Sequence, residues 1–257
     1  MFLPDDAAPV QNSVQNSVQD SGRTPQMLDL EEQILASWVV NAAAWTRAVR
    51  RGEVLSRERV TNGAILEAIT AAAPRTLLDL GCGEGWLSHH CARQGIEVLG
   101  TDAVAEFTSI AAESAPPGAR FQTLTYQQIG AGGLDKRFDG VVANFSLLGD
   151  GSLDEVFRAL PKLLTPGGCV LVQTLHPLMV CADHPYEDGW REGSWAGFSP
   201  AFRAPAPWYF RTMESWMRLF RRHDLIVKDV REPVDPLSGQ PASMIFQAIH
   251  ASTQNAA

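Results

Sequence analysis

The chain has no apolar run approaching the roughly 20 residues that a membrane-spanning helix needs, and its longest apolar stretches are strand-sized. It has no basic excess: 21 Lys and Arg stand against 29 Asp and Glu, a formal net charge of −8. Phosphate binding needs clustered cationic charge, so nucleic acid is disfavoured as a partner. Cysteine is sparse. The four thiols, Cys82, Cys91, Cys169 and Cys181, are widely separated without metal-type pairing, and they read as reduced cysteines. The N-terminal Met-Phe-Leu-Pro-Asp-Asp lacks the basic start and apolar core of a secretory signal. These absences point to a cytoplasmic protein without membrane, nucleic-acid or metal partners. His89, His90 and Cys91 do not reverse that reading, because consecutive helix residues diverge by about 100° and cannot converge on one ion.

What is present suits one α/β domain: 257 residues, 45% hydrophobic and 19% charged. Residues 1–25 include the tandem QNSVQNSVQD and have little to bury, so they read as a disordered tail. Residues 26–250 form the domain and 251–257 a flexible tail. Within 26–75 apolar residues recur at three- and four-residue steps, as helices require, with Ser56 or Thr61 as caps for the later ones. After Pro74 strand patterns at 76–80, 96–101, 119–124, 138–145 and 169–175 alternate with helices at 86–94, 104–114 and 152–164, the last ended by Pro166-Gly167-Gly168. That alternation implies parallel βαβ units. Residues 176–210 break the rhythm with eight of the 21 aromatics and five prolines. A helix near 211–222 and strands at 225–231 and 243–250 close the domain, and the last two strands, joined without a helix, pair antiparallel or lie apart.

The chemistry concentrates in Asp79-Leu80-Gly81-Cys82-Gly83-Glu84-Gly85, where a buried strand ends in an acid and three alternate glycines turn into a helix. Glycine tolerates positive φ and lets a ligand approach the backbone. Asp102 ends the second strand, 21 residues after Gly81, where an acid can hold a ribose diol. A dinucleotide fingerprint has a third glycine at the position held here by Trp86, which argues against an NAD(P)-dependent oxidoreductase. Asp79 suits a ligand bearing an ammonium group better than a pyrophosphate.

Four stretches in register, TLLDLGCGEGW, the strand ending in Asp102, FDGVVANFSLL and LLTPGGCVLV, resemble the class I S-adenosylmethionine-dependent methyltransferases. The resemblance covers about 75–175. It implies a Rossmann-like seven-stranded, mostly parallel sheet with helices on both faces and the last strand antiparallel. It also implies S-adenosyl-L-methionine as cofactor and methyl transfer by in-line displacement. By position, Asp79, Gly81, Cys82 and Gly83 line the methionyl end, Asp102 binds the ribose and Ala103 lies beside the adenine. Tyr126, Gln127 or backbone replaces the acid that often follows the third strand, and Asn144 and Phe145 face the methyl group. Upstream, Trp38 reads as core packing and Trp45 as a cofactor contact, while Arg57 suits the cofactor carboxylate. A cofactor-binding partner or regulator without turnover is the alternative function.

The insertion 176–210 is expected to be a lid over a small aromatic or hydrophobic acceptor, with Trp190, Trp195, Trp208 and Tyr209 as its wall. The other reading is that these aromatics cover the sheet or form a homodimer interface. His176, just past the fifth strand, ranks first as a general base, followed by His184 and Tyr209; the bland reading of His176 is a hydrogen bond within its loop.

Overall fold

The computed structural model describes residues 25–181 and 184–252, with side chains from Leu30 onward. The expected N-terminal tail apart from Pro25, and the C-terminal tail beyond Ser252, lie outside the described residues.

The chain opens with helix α1 (Pro25–Arg50), a π-helical turn (Arg57–Thr61) and α2 (Asn62–Ala72). Ser56 and Thr61 occupy the cap positions of the latter two, but neither side chain makes a capping hydrogen bond. The alternating part runs β1 (Thr76–Leu80), α3 (Trp86–Arg93), β2 (Glu97–Asp102), α4 (Ala105–Glu113) and β3 (Ala119–Thr123). It continues through α5 (Tyr126–Gly130), β4 (Phe138–Asn144), α6 (Gly151–Leu163) and β5 (Leu164–Thr174). Then come α7 (Pro177–Val180), β6 (Gly189–Arg191), β7 (Trp208–Phe210), α8 (Met213–Arg222), β8 (Leu225–Arg231) and β9 (Met244–His250).

Seven strands form one sheet in the order β3-β2-β1-β4-β5-β9-β8. β1 to β5 are mutually parallel, and β9 runs antiparallel to both β5 and β8. This is the Rossmann-like sheet with an antiparallel last strand that the motif order implied. Adjacent residues serve opposite faces. Leu78 packs with α6 and α8 through Val156, Phe157, Leu160 and Phe220, while Leu77 packs with α2 and α3 through Ile65, Ile69 and Leu87. Full burial of such a side chain contributes about 1.5–3 kcal/mol, which is why the inner strands carry near-continuous apolar runs.

Two local readings need correction. Helix α6 ends at Leu163, within a residue of the expected 164, but β5 starts at Leu164 rather than 169, because Leu164 already pairs with Phe138. The register then jumps to Gly140↔Cys169, so Thr165–Gly168 bulges out of β5. The 176–210 insertion is also not irregular throughout: β6 and β7 pair antiparallel through Trp190↔Tyr209. Helix α5, unread in the sequence, is fixed by a capping box between Thr125 and Gln128.

His89 behaves as a core residue. Its Nε2 lies 2.8 Å from the Ala111 carbonyl and its ring meets Phe121 edge-on. The four cysteines are unpaired, and among the described residues no helix is long and apolar enough to cross a membrane.

Candidate active site

Strand order reverses between β1 and β4, and the crevice beyond their carboxyl ends is where open α/β sheets bind ligands. The glycine turn between β1 and α3 borders it, with φ of 70°, 55° and 89° at Gly81, Gly83 and Gly85. The outer two are packed shut: a Cβ on Gly81 would lie 2.3 Å from Ser146 Cβ, and one on Gly85 2.8 Å from Ala111 Cβ. The middle one is open. A Cβ on Gly83 would meet only Trp45 Nε1, at 3.9 Å. Asp102 holds this turn, its two carboxylate oxygens accepting the N–H groups of Gly83 and Val104, each at 2.9 Å.

A cavity of about 650 Å³ occupies the crevice. Gly81, Cys82, Gly83, Asp102 and Ala103 line it from the sheet edge, Tyr126 and Gln127 from the start of α5, and Asn144 and Phe145 from the end of β4. Trp45 and Arg57 close it from the N-terminal segment. Asp79 is the exception among the residues expected at the cofactor. Only 2% exposed, it lies beneath the turn and accepts a hydrogen bond from Ser88 Oγ at 2.7 Å. Burial, reinforced by Asp102 and Glu84, pushes its carboxyl up to about 7. It does not line the cavity.

Sequence reasoning missed Glu84 and Trp86, and it assigned Trp38 to the core although it also lines the cavity. Arg57, 8% exposed, is held between two indoles, its guanidinium carbon 5.4 Å from the Trp45 ring centre and 4.9 Å from that of Trp86. Its Nη2 has no hydrogen-bond partner, and neither has Oε1 of Glu84, which is 3% exposed. Burial lowers the pKa of Arg57 and raises that of Glu84, while each charge favours the other. An opposed pair of desolvated, unsatisfied charges on one cavity wall is costly unless a ligand completes it. A zwitterion does so. The signal was in the sequence, as an acid inside a glycine turn, but only the fold shows that Arg57 approaches it.

Phe145 adopts φ of 55°, which a non-glycine residue reaches only under constraint; its N–H bonds to the Gln173 carbonyl at 2.8 Å. The neighbouring Asn144 Oδ1 is buried without a partner.

The aromatic insertion divides in two. Trp195 and Phe198 line the cavity and stack with α1, Trp195 against Trp38 at 5.7 Å and Phe198 against Trp45 at 6.4 Å. Trp190, Trp208 and Tyr209 lie on the β6–β7 hairpin and do not line it. Tyr209 packs on Trp190 and on the guanidinium of Arg211, which bonds the carbonyls of Gly149 and Asp150 and the Asp150 carboxylate at the start of α6. Trp208 and Tyr209 face a separate cleft of only about 20 Å³. Of the four residues expected as the wall, Trp195 thus lines this cavity, joined by Phe198, whereas Trp190, Trp208 and Tyr209 do not line it. The histidines fare similarly. His176 Nε2 lies 2.7 Å from Glu232 and its Nδ1 accepts the Leu178 N–H, capping α7, while His184 is exposed; neither lines the cavity.

A family model described as a methyltransferase domain matches residues 54–227, more than half of the chain. The protein belongs to that family. A ubiquinone biosynthesis O-methyltransferase of Cereibacter sphaeroides is 36% identical over 105 residues, covering 39% of this chain and 41% of the relative. One from Psychrobacter cryohalolentis is 32% identical over 132 residues, covering 50% and 49%. The matched stretch thus spans less than half the length of these relatives. Among solved structures, the 1,6-didemethyltoxoflavin-N1-methyltransferase of Burkholderia thailandensis, with bound 1,6-didemethyltoxoflavin and S-adenosylhomocysteine, superposes with a TM-score of 0.61 at 19% identity, covering 90% of this chain and 92% of that one. An S-adenosylmethionine dependent methyltransferase from Mesorhizobium loti gives 0.55 at 20%, covering 71% and 95%. At such identities the likeness is one of fold.

Proposed function

We propose that the protein transfers a methyl group from S-adenosyl-L-methionine to a small aromatic or hydrophobic acceptor. The observation that carries this reading is one cavity with unlike walls: desolvated Arg57 and Glu84, each with an unpartnered polar atom, beside the open Gly83, and elsewhere mainly apolar and aromatic side chains. Family membership and the ligands named for the toxoflavin enzyme support it.

The residues fit the cofactor in this arrangement. Arg57 Nη2 takes the carboxylate and Glu84 the ammonium of its amino-acid end, and Asp102, with its remaining lone pairs, takes the ribose hydroxyls. Ala103 and Phe107 lie beside the base, and Gly83 gives the room a side chain would fill. When bound, the cofactor supplies a methyl carbon activated by a sulfonium. The protein's own task is to align and to exclude water: Phe145 and Asn144 set the floor of the junction, while Trp38, Trp195 and Phe198 roof it.

Titration calorimetry with S-adenosylhomocysteine is the direct test, with binding in the micromolar range and a rise in Tm as the expected result. No binding to the folded protein removes the proposal.

A further inference from the structure

Resting on that reading, we infer that Arg211 is a positioning residue for methyl transfer: with Glu31 it clamps the Gly149–Asp150 peptide from opposite sides and so fixes the Phe145–Gly149 wall of the cavity. Phe145, Ser146, Leu148 and Gly149 all line the cavity, whereas Arg211 does not. Their segment runs from the end of β4 to the start of α6 without helix or strand, and its first residue holds the strained φ of 55°. Contacts from outside must therefore keep it in place.

The Gly149–Asp150 peptide is held on both edges. Its carbonyl accepts a hydrogen bond from Arg211 Nη1 at 2.8 Å, and its N–H donates to Glu31 Oε1 at 2.9 Å. Arg211 Nη2 also donates to the Asp150 carbonyl at 3.2 Å and to its carboxylate at 2.6 Å, while Glu31 Oε1 also accepts the Ser152 N–H at 3.1 Å. Two residues before Arg211, the Tyr209 N–H donates to the Leu148 carbonyl at 2.8 Å. Gly149 leaves no slack: a Cβ there would lie 2.7 Å from Ser152 Oγ and 3.0 Å from Glu31 Oε1.

Packing alone does not explain this arginine. It is 6% exposed; burial lowers its pKa, while Asp150, Tyr209, Asp188 and Glu31 favour its charge. Apolar residues of similar shape often stabilise as well as a buried ion pair does. What the planar fork supplies is direction. It meets three acceptors on two consecutive residues at once, between the rings of Tyr209 and Trp216 at 4.6 and 5.6 Å. A lysine, as a point charge, cannot do so. Phe145 belongs to the proposed floor of the methyl junction, so a shift of this segment disturbs the alignment that in-line displacement needs. The proposed charged contacts to the cofactor, from Arg57, Glu84 and Asp102, lie on other segments.

The test is hydrogen exchange by mass spectrometry on the full chain, beside calorimetry with S-adenosylhomocysteine and initial rates with catechol and benzimidazole as probe acceptors. Four amides report on the segment: Phe145 on the Gln173 carbonyl, Leu148 on that of Ser146, and Asp150 and Ser152 on Glu31. In Arg211→Met, peptides covering 145–152 should exchange about tenfold or more faster, as loss of charge-assisted bonds requires. Arg211→Lys should fall between that variant and wild type, and it carries the comparison if Arg211→Met does not fold. Phe138→Leu, a core change at the other end of β4, controls for lost stability and should show no such local effect. The kcat for a methylated probe should fall with S-adenosylhomocysteine affinity nearly unchanged. Exchange that rises no more at 145–152 than across the sheet, or a loosened segment with unaltered kcat, would overturn the inference. If wild type methylates neither probe, the exchange pattern decides alone. Wild type that fails to bind S-adenosylhomocysteine removes the proposed reaction, a result read separately from the exchange.

Discussion

Asn41 bonds to the backbone of Arg203 as one strand residue bonds to another: its Oδ1 accepts the Arg203 N–H at 2.9 Å and its Nδ2 donates to the Arg203 carbonyl at 2.7 Å. Asn41 is fully buried in α1, and Ser37 Oγ, one turn earlier, donates to the Ala204 carbonyl at 2.6 Å. Two side chains of the helix that roofs the cavity thus carry the roof's second layer. Asn41→Leu should leave the Arg203 N–H unsatisfied and its carbonyl with only the Trp195 Nε1–H bond, costing about 1–3 kcal/mol if the N–H finds no water. We expect a lower Tm and a raised acceptor KM with nearly unchanged S-adenosylhomocysteine affinity. An unaltered KM would mean that the 195–204 segment does not position the acceptor.

The sheet was legible because burial on both faces forces apolar runs at strand length, and glycines and prolines punctuate them. All eleven residues expected to touch the cofactor besides Asp79 line the cavity; nine lie at or just past the ends of β1 to β4, and only Trp45 and Arg57 come from the N-terminal segment. The insertion was less legible. Trp195 and Trp208 look alike in sequence, and only the Asn41–Arg203 pair and the Arg211–Asp150 pair decide which half joins α1 and which joins α6. Glu84 and Arg57 are 27 positions apart, and no periodicity relates a π-helical turn to a glycine loop.

Arg57 and Glu84 predict a selective loss. Arg57→Lys keeps the charge but not the planar contact between two indoles, and Glu84→Gln removes the countercharge for an ammonium group. Each should weaken S-adenosylhomocysteine by about tenfold or more, as loss of a charge-assisted bond requires. Methylthioadenosine, which lacks the amino-acid end, should bind wild type and variants alike. Equal losses for the two ligands would place Arg57 and Glu84 in the scaffold instead.

Asp79 gives the ligand-free protein a definite pH dependence. Its carboxyl is raised from 3.8 to about 7 in the folded state, so between those values the fold retains a proton that the unfolded chain releases. Stability therefore falls as pH rises through this window, at up to about 1.4 kcal/mol per pH unit, and levels off above it. Asp79→Asn should flatten part of the slope; Glu84 and Asp102, also raised by burial, keep the remainder. Urea denaturation at pH 5 and 7.5 measures this, and parallel profiles for wild type and variant would contradict it.

The two halves of the insertion should separate in kinetics. Trp195 lines the cavity, stacks on Trp38 and donates its Nε1–H to the Arg203 carbonyl at 3.0 Å. Trp208 sits on the hairpin, edge-on to Phe210 at 6.2 Å, and borders the small cleft behind Phe145, Leu148 and Leu175. Trp195→Ala removes part of the cavity wall proposed to hold the acceptor and should raise KM or lower kcat by about tenfold or more, because a ring proposed to exclude water and orient the acceptor is lost. Trp208→Ala should act mainly on stability, by about 1–3 kcal/mol for a partly buried aromatic, with per-site kinetics preserved. If the hairpin is instead an interface between two copies of the chain, Trp208→Ala will lower the mass seen by light scattering. Should Trp208→Ala impair turnover as strongly as Trp195→Ala while mass and Tm stay unchanged, the hairpin closes over the acceptor after all, and the division of the insertion drawn from the static cavity is wrong.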